Sequence, residues 1–378
     1  MSDFSFDRLS RSPDVEADNL FAVDASDRLI LDEAAGAVAE AGADEVVVIE
    51  DRYGALSLGA AALQGARGIR VHQDVLSGEM ALALNAARSD LSSTYRSLDL
   101  GEELLAGARV VLLQLPRSLA ALDEVADAIR RFAAPDVVVI AGGRLKHMTP
   151  AMNEVLRRHF TELKVSPARQ KSRVLRVAAP ISTSAQPVVS TWPNSVEHAD
   201  LGLTVCAHGA VFAGATIDIG TRYLLEFLDR MNTDAHSAID LGCGTGVLAA
   251  ALARRRPALR VTATDQSAAA VASARATMLA NGLTNRVSVV RDDALRGQRD
   301  ASAELIVLNP PFHIGSSVHA GIALKLFADA GRVLQPGGEL WTVWNTHLGY
   351  RPALTRLVGS TQQVGRKAKF TVTVSTRR

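Results

Sequence analysis

The chain has 378 residues, 48% of them hydrophobic and 21% charged, with 41 Lys and Arg against 40 Asp and Glu. That length exceeds what one hydrophobic core usually serves, so two domains are expected. The net charge of +1 excludes a globally basic nucleic-acid binder but leaves room for a local basic patch.

The N-terminus is acidic and lacks the apolar segment of a signal peptide, and no apolar run approaches the ~20 residues of a spanning helix. A cytoplasmic protein without membrane contact is expected. Glu45–Ile49, Val110–Leu113 and Asp136–Ala141 are short apolar runs of the buried parallel-strand type, and Ser118–Phe132 carries apolar residues at helical spacing. The Ser-, Thr- and Pro-rich run Pro180–Pro193 places a linker or crossing segment at 181–200, between domains over 1–180 and 201–378. Beyond it, strands are expected at Ser237–Leu241, Arg260–Thr264, Val287–Val290, Glu304–Leu308 and Glu339–Val343. Helices are expected at Val247–Arg256, Ser267–Asn281 and Ile322–Val333. This alternation predicts an α/β protein with a doubly wound, Rossmann-like sheet in each half.

The halves read as copies. Ala303–Pro311 lies without gaps on Ala108–Pro116, Arg260–Asp265 resembles the run from Arg70 to Asp74, and Pro336-Gly337-Gly338 has its counterpart in Ala141-Gly142-Gly143. They differ at the loops. Glu50-Asp51-Arg52-Tyr53-Gly54 stands where the second half has Gly242, Gly244 and Gly246, and Gln114-Leu115-Pro116 replaces Asn309-Pro310-Pro311. The first domain is therefore expected to be a degenerate, non-catalytic copy.

In the second half Asp240 ends a strand, and glycines at 242, 244 and 246 let the backbone turn sharply and approach a ligand closely. Asp265, nineteen residues after Gly246, can accept from both hydroxyls of a ribose. Asp293 can reach an adenine amine, with its neighbour Asp292 expected to be solvated. The glycines alternate, unlike the dinucleotide pattern G-x-G-x-x-G, which favours S-adenosylmethionine over a nicotinamide cofactor. Cys243 is read as a small filler, since no partner that would activate a thiolate is visible, and with Cys206 it makes no disulfide framework or zinc site. No metal is expected.

Asn309-Pro310-Pro311-Phe312-His313 follows a buried strand, at the edge where such sheets bind ligands. An exocyclic amine on a base is a poor nucleophile, because its lone pair is drawn into the ring. The Asn309 side-chain oxygen and the Pro310 carbonyl can hold that NH2 with its lone pair aimed at a methyl donor, and the prolines stiffen the loop. Phe312 can stack on the base, and His313 is a candidate contact to the base or a phosphate.

These motifs resemble those of the bacterial ribosomal-RNA guanine-N2 methyltransferases, which carry Asn-Pro-Pro-Phe-His. Val211-Phe212-Ala213 through Ile217-Asp218-Ile219-Gly220 is similar to the family's Val-Phe-Ser…Leu-Asp-x-Gly segment. The resemblance implies that Phe212 and Asp218 pack over the methionine end of the cofactor, with Ala213 lacking the family's hydroxyl. Asp51–Ser57, Leu115–Leu119 and Thr346-His347-Leu348 resemble the large-subunit branch most closely, which implies 23S RNA or the subunit containing it as partner. Alternatives are the 16S RNA, an adenine-N6 or protein-glutamine substrate, and a non-enzymatic RNA-binding role. Candidate phosphate contacts are Arg254-Arg255-Arg256, Arg366-Lys367-Lys369, Arg377-Arg378 and Arg169-Lys171-Arg173.

Overall fold

The apolar runs pair into two seven-stranded sheets of the same strand order. The computed structural model describes residues 4–17, 19–182, 190–311 and 316–378, with side chains in the last stretch from 321 onward. Contacts divide the chain into two units, Met1–Trp192 and Pro193–Arg378.

In the first unit α1 (Ala25–Glu40), β1 (Val46–Ile49), α2 (Ala55–Gln64), β2 (Ile69–His72), α3 (Leu76–Arg88) and β3 (Tyr95–Ser97) come first. They are followed by α4 (Glu102–Leu105), β4 (Val110–Gln114), α5 (Leu119–Phe132), β5 (Val138–Arg144), α6 (Pro150–Arg157), β6 (Phe160–Val165) and β7 (Ser172–Pro180). The order across the sheet is β3-β2-β1-β4-β5-β7-β6; β1 to β5 run parallel, and β7 is antiparallel to both neighbours. Alternate residues of each strand serve opposite cores. Val46, Val48, Val110 and Leu112 pack with α1, α2 and α3, while Val47, Ile49, Val111 and Leu113 pack with α4, α5 and α6. Burial on both faces is why these strands read as unbroken apolar runs, and each fully buried Val, Leu or Ile contributes about 1.5–3 kcal/mol.

The second unit opens with a hairpin, β8 (Asn194–His198) and β9 (Leu203–Ala207), so residues 194–198 of the segment expected as linker form a paired strand. Then follow α7 (Ile219–Leu225), β10 (Ser237–Leu241), α8 (Val247–Arg255), β11 (Arg260–Asp265), α9 (Ala268–Ala280), β12 (Val287–Arg291) and β13 (Ala303–Leu308). The chain ends with α10 (Ser316–Val333), β14 (Leu334–Asn345), α11 (Arg351–Leu357), β15 (Gly359–Arg366) and β16 (Phe370–Arg377). The sheet order is β12-β11-β10-β13-β14-β16-β15, with β16 antiparallel to β14 and β15. Ala238, Leu305 and Val307 face a core with α7, α8 and α9; Ile239, Leu241, Ile306 and Leu308 face one with α10 and α11.

One contact fixes the approach to the second unit's sheet edge. Ser273 and Thr277 on α9 and Asn281 at its C-cap, a turn apart, accept from the backbone N–H groups of His208, Cys206 and Thr204 at 2.8, 3.0 and 3.0 Å. The helix thus satisfies a strand edge that would otherwise bury unpaired donors, and it anchors the segment that leads into α7.

The two units share more than strand order. Gly242, Gly244 and Gly246 have φ of 68°, 53° and 78°; Glu50, Arg52 and Gly54 have φ of 65°, 63° and 102°. The first unit has the same loop backbone with Glu50 and Arg52 where the second has Gly242 and Gly244, at about 1–2 kcal/mol for each left-handed non-glycine residue.

Candidate active site

In the second unit the parallel strands end in register. Leu241 sits opposite both Thr264 and Leu308, and Asp265 opposite Arg291. The loops carrying Gly242–Gly246, Asp292-Asp293 and Asn309 therefore leave one sheet edge. The strand order reverses between β10 and β13, which opens a crevice there.

The glycine loop is shaped for close approach. A Cβ added at Gly242 or Gly244 would meet nothing within 4 Å, whereas one at Gly246 would strike Met278 Cε at 2.9 Å and Ala274 at 3.1 Å. The first two glycines face open space, and the third lets the loop pack on α9. Asp265 braces the loop: Oδ2 accepts from Gly244 N–H at 3.0 Å and Oδ1 from Ser267 N–H at 2.9 Å. Asp240 is buried beneath the loop. Its Oδ2 accepts from Ala249 N–H at 2.9 Å, its Oδ1 is buried without a partner, and burial pushes its carboxyl up to about 7, helped by the charge of Asp265. Burial, then the charges of Asp265 and Asp240, also push the Cys243 thiol up, against a thiolate there.

At the end of β12 the expectation for Asp292 is corrected. It is buried rather than solvated, because its carboxylate closes the following turn by accepting from Gly297 N–H at 2.9 and 3.2 Å. Asp293, also buried, is ion-paired with Lys325 on α10. Phe212, on the segment before α7, is exposed.

Asn309 follows β13, and its geometry is the most specific at this edge. Its Nδ2 donates to Asp218 Oδ2 at 3.0 Å and to Thr221 Oγ1 at 2.9 Å, which commits both amide hydrogens. This network determines which end of the amide is oxygen, since reversal would set Oδ1 against a carboxylate. Oδ1 is buried and unpartnered. Asp218 caps α7 at the same time, accepting from Gly220 N–H at 2.9 Å and Thr221 N–H at 3.2 Å. Gly220 is required by space: a Cβ there would lie 2.9 Å from Asp218 Oδ2 and 3.4 Å from Asn309 Oδ1. Pro310 is buried and Pro311 exposed; Phe312 and His313 lie outside the described residues.

Family models match both units: the RLMG N-terminal domain over residues 2–181 and the Methyltransferase small domain over 202–374. The chain is 35% identical over 368 residues to a Pseudomonas aeruginosa protein named ribosomal RNA large subunit methyltransferase G, covering 96% of each. The chain belongs to the ribosomal RNA large subunit methyltransferase G family. A Streptomyces avermitilis protein of the same name is 33% identical over 375 residues, covering 96% of this chain and 95% of that one. A T. thermophilus 16S rRNA N2 methyltransferase, solved in complex with AdoMet and guanosine, superposes with a TM-score of 0.71 at 22% identity, covering 96% of this chain and 97% of that one. That likeness bears out the Rossmann-like architecture expected of both halves.

In this methyltransferase G family member, two residues at the site carried no assigned role in the sequence reading. Thr221 fixes the Asn309 amide, and Lys325 neutralises Asp293. An Asp at the N-cap with Thr three residues on is a legible helix start, but its contact across 88 residues is not. Among the expected phosphate contacts, the arginine triplet is spent on its own chain. Arg256 donates to the carbonyls of Leu228, Met231 and Asn232, Arg255 pairs with Asp229, and Arg254 reaches the Gly202 carbonyl. Arg169 pairs with Asp32, Arg377 donates to the Arg332 carbonyl, and Lys367 pairs with Glu226 while lying 4.2 Å from the Tyr223 ring centroid. Among the described residues no helix is long and apolar enough to cross a membrane, and no cluster of metal-ligating side chains occurs.

Proposed function

We propose that this chain transfers a methyl group from S-adenosylmethionine to the exocyclic N2 of a guanine in ribosomal RNA, and that the RNA is 23S. The observation that carries this reading is Asn309 Oδ1, a buried acceptor with no partner on an amide whose two hydrogens are already committed. A buried unsatisfied carbonyl costs about 1–3 kcal/mol, a cost that an incoming NH2 would remove. The choice of 23S over 16S rests on the large-subunit name of relatives at 33–35% identity. The reaction is placed in the cytoplasm, where that RNA is made.

The residues present fit the cofactor. Open space lies over Gly242 and Gly244, and a second orphaned acceptor, Asp240 Oδ1, lies under the loop. In this reading Gly242, Gly244 and Gly246 form the cradle, Asp265 holds the ribose hydroxyls, Asp293 takes the adenine amine, and Asp240 and Phe212 bound the methionine end. S-adenosylmethionine, when bound, supplies a methyl group on a sulfonium that leaves as a neutral thioether. Asn309 Oδ1 accepts one hydrogen of the guanine amine and the Pro310 carbonyl the other, leaving the nitrogen lone pair directed at the donor. Phe312 stacks on the base, with His313 beside it. No strong base is required, since the methylated nitrogen loses its extra proton to water. Asp218 belongs with Asn309 as a positioning residue. The first unit, with Glu50 and Arg52 in its loop, is the non-catalytic copy over 1–180.

Methylation of 23S RNA by the purified chain with labelled donor tests the reading. Asn309→Ala is expected to lower kcat at least about 100-fold, the scale of losing one preorganised hydrogen-bonding group, with donor affinity within about threefold of wild type. Full activity in that variant would overturn the assignment of the amine acceptor.

A further inference from the structure

The loop after β12, which carries Asp292 and Asp293, is clasped by one side of α10. Lys325, Asp329 and Arg332 are spaced by four and three residues, which puts them on a single face of that helix. Lys325 is ion-paired with Asp293, and Asp329 Oδ2 accepts from Leu295 N–H at 3.1 Å. Arg332 donates to the carbonyls of Leu295 and Gln298 at 2.7 and 2.9 Å and pairs with Asp300. In the first unit the helix after the fourth strand, α5, directs its charges elsewhere. Asp123 pairs with Arg158 and is hydrogen-bonded to His159, and Asp127 pairs with Arg130, while the segment after β3 packs on the helix through Leu104 and Leu105.

The members of the clasp do different things. Asp292 closes the turn onto Gly297 N–H, and Asp329 and Arg332 hold the backbone groups that follow. The Lys325–Asp293 pair joins two side chains and engages no backbone group. Its side chains are 41% and 9% exposed, so the lysine comes from the solvent side to a carboxylate that the fold has already buried. Removing one partner of such a pair leaves a buried charge uncompensated, which costs more than the pair itself contributes. The ammonium takes Oδ2, and that contact fixes which way the carboxylate faces.

We propose that Lys325 is a positioning residue for the methyl donor: by pinning Asp293 in one orientation it makes the end of β12 accept a 6-amino purine and reject a 6-oxo purine. The proposal deepens the donor reading above and rests on it. A carboxylate only accepts hydrogen bonds. The amine of adenine donates to it, whereas a keto oxygen at the same position sets acceptor against acceptor. A carboxylate free to turn would relieve that mismatch, and one held by Lys325 does not. The ion pair therefore sets discrimination as well as affinity, and Lys325 acts through Asp293 rather than on the purine.

The test uses the full-length chain and calorimetry with two ligands, S-adenosylhomocysteine and S-inosylhomocysteine, which carries a 6-oxo purine. Thermal unfolding checks that each variant is folded. Lys325→Met is expected to weaken S-adenosylhomocysteine at least about 10-fold, the scale of a hydrogen bond to a charged group. It should weaken S-inosylhomocysteine by less than about threefold. In an Asp293→Ala background the same substitution is expected to cost less than about twofold, because the group it acts through is gone. Lys325→Arg, which keeps the charge, is expected to stay within about threefold of wild type. Wild-type affinity in Lys325→Met, an equal loss for both ligands, or a loss that persists in the Asp293→Ala background would overturn the positioning role while leaving the donor reading standing. Wild type that binds neither S-adenosylmethionine nor S-adenosylhomocysteine would overturn the donor reading and this role with it.

Discussion

Asp218→Asn separates two roles for one carboxylate. The resemblance to the guanine-N2 family places Asp218 over the cofactor, whereas its hydrogen bonds place it behind Asn309. In the wild-type chain Asp218 Oδ2 receives Asn309 Nδ2 at 3.0 Å together with two N–H groups of α7. Asparagine is as good an N-cap as aspartate, so the helix start survives the substitution. The negative charge that excludes a reversed Asn309 amide does not. Hydrogen bonds to charged groups contribute about 1.5–3 kcal/mol against about 1 for neutral ones, so the productive orientation loses on the order of 1–2 kcal/mol. At 1.36 kcal/mol per decade kcat should fall about 5- to 30-fold. Single-turnover methylation at saturating donor and RNA measures that step, calorimetry measures donor binding, and thermal unfolding checks the fold. The positioning role predicts a kcat loss with donor affinity and Tm nearly unchanged. An equal loss of donor affinity would return Asp218 to the cofactor, and an unchanged kcat would refute the orientation argument.

Two further outcomes follow from groups held at a cost. Burial raises the Asp240 carboxyl from 3.8 to about 7, so between those values the native state binds a proton that the unfolded chain lacks. Stability then falls as pH rises through about 4 to 7 and levels off above; Asp240→Asn removes that loss, and its Tm relative to cofactor-free wild type should rise from pH 5 to pH 8. A difference independent of pH would contradict the burial argument. At Arg52 the backbone carries the strain, so Arg52→Gly should raise the melting temperature of the first unit by about 2–4 °C relative to Arg52→Ala, the span expected for ~1 kcal/mol in a unit of this size. Equal melting temperatures would mean that φ 63° costs nothing there.

Much of the sheet was legible because parallel strands buried on both faces leave continuous apolar runs. Ser237–Leu241 was placed to the residue, and β11, β12 and β13 to within one. The antiparallel edges were missed. β6, β7 and β15 mix polar and charged residues through their length, and β16 alternates Thr with Val; without a partner in view, such patterns do not separate from loop. The site divides along similar lines. Glycines and carboxylates after strands announce themselves, since few residue types turn the chain or hold a nucleoside. What those carboxylates touch was not visible. Asp292 turns inward onto Gly297, and Asp293 meets a lysine on a helix that begins more than twenty residues later. Arg256 looked like a phosphate ligand because a triplet of arginines carries no sign of which member will satisfy backbone carbonyls.

The two loops after the first strands show how far a backbone can outlast its sequence. Nothing in Glu50-Asp51-Arg52-Tyr53-Gly54 suggests left-handed residues at alternate positions, because glutamate and arginine are not residues for which one infers positive φ. The surrounding structure enforces it. Asp51 caps α2 as Asp240 caps α8, and Gly54 packs against Leu82 of α3 as Gly246 packs against Met278 of α9. The amide after the fourth strand persists too. Gln114 Nε2 is held by Asp27 on α1, as Asn309 Nδ2 is held by Asp218 at the start of α7. In the first unit, however, Ser26 Oγ lies 3.2 Å from Gln114 Nε2 and 3.4 Å from its oxygen, whereas the Asn309 oxygen is buried with no partner. A closed network with a filled loop stabilises a fold. The same network with two glycines and one acceptor left open can receive a nucleoside and an amine, and in the function proposed that difference of a few side chains is what sets the second unit apart from the first.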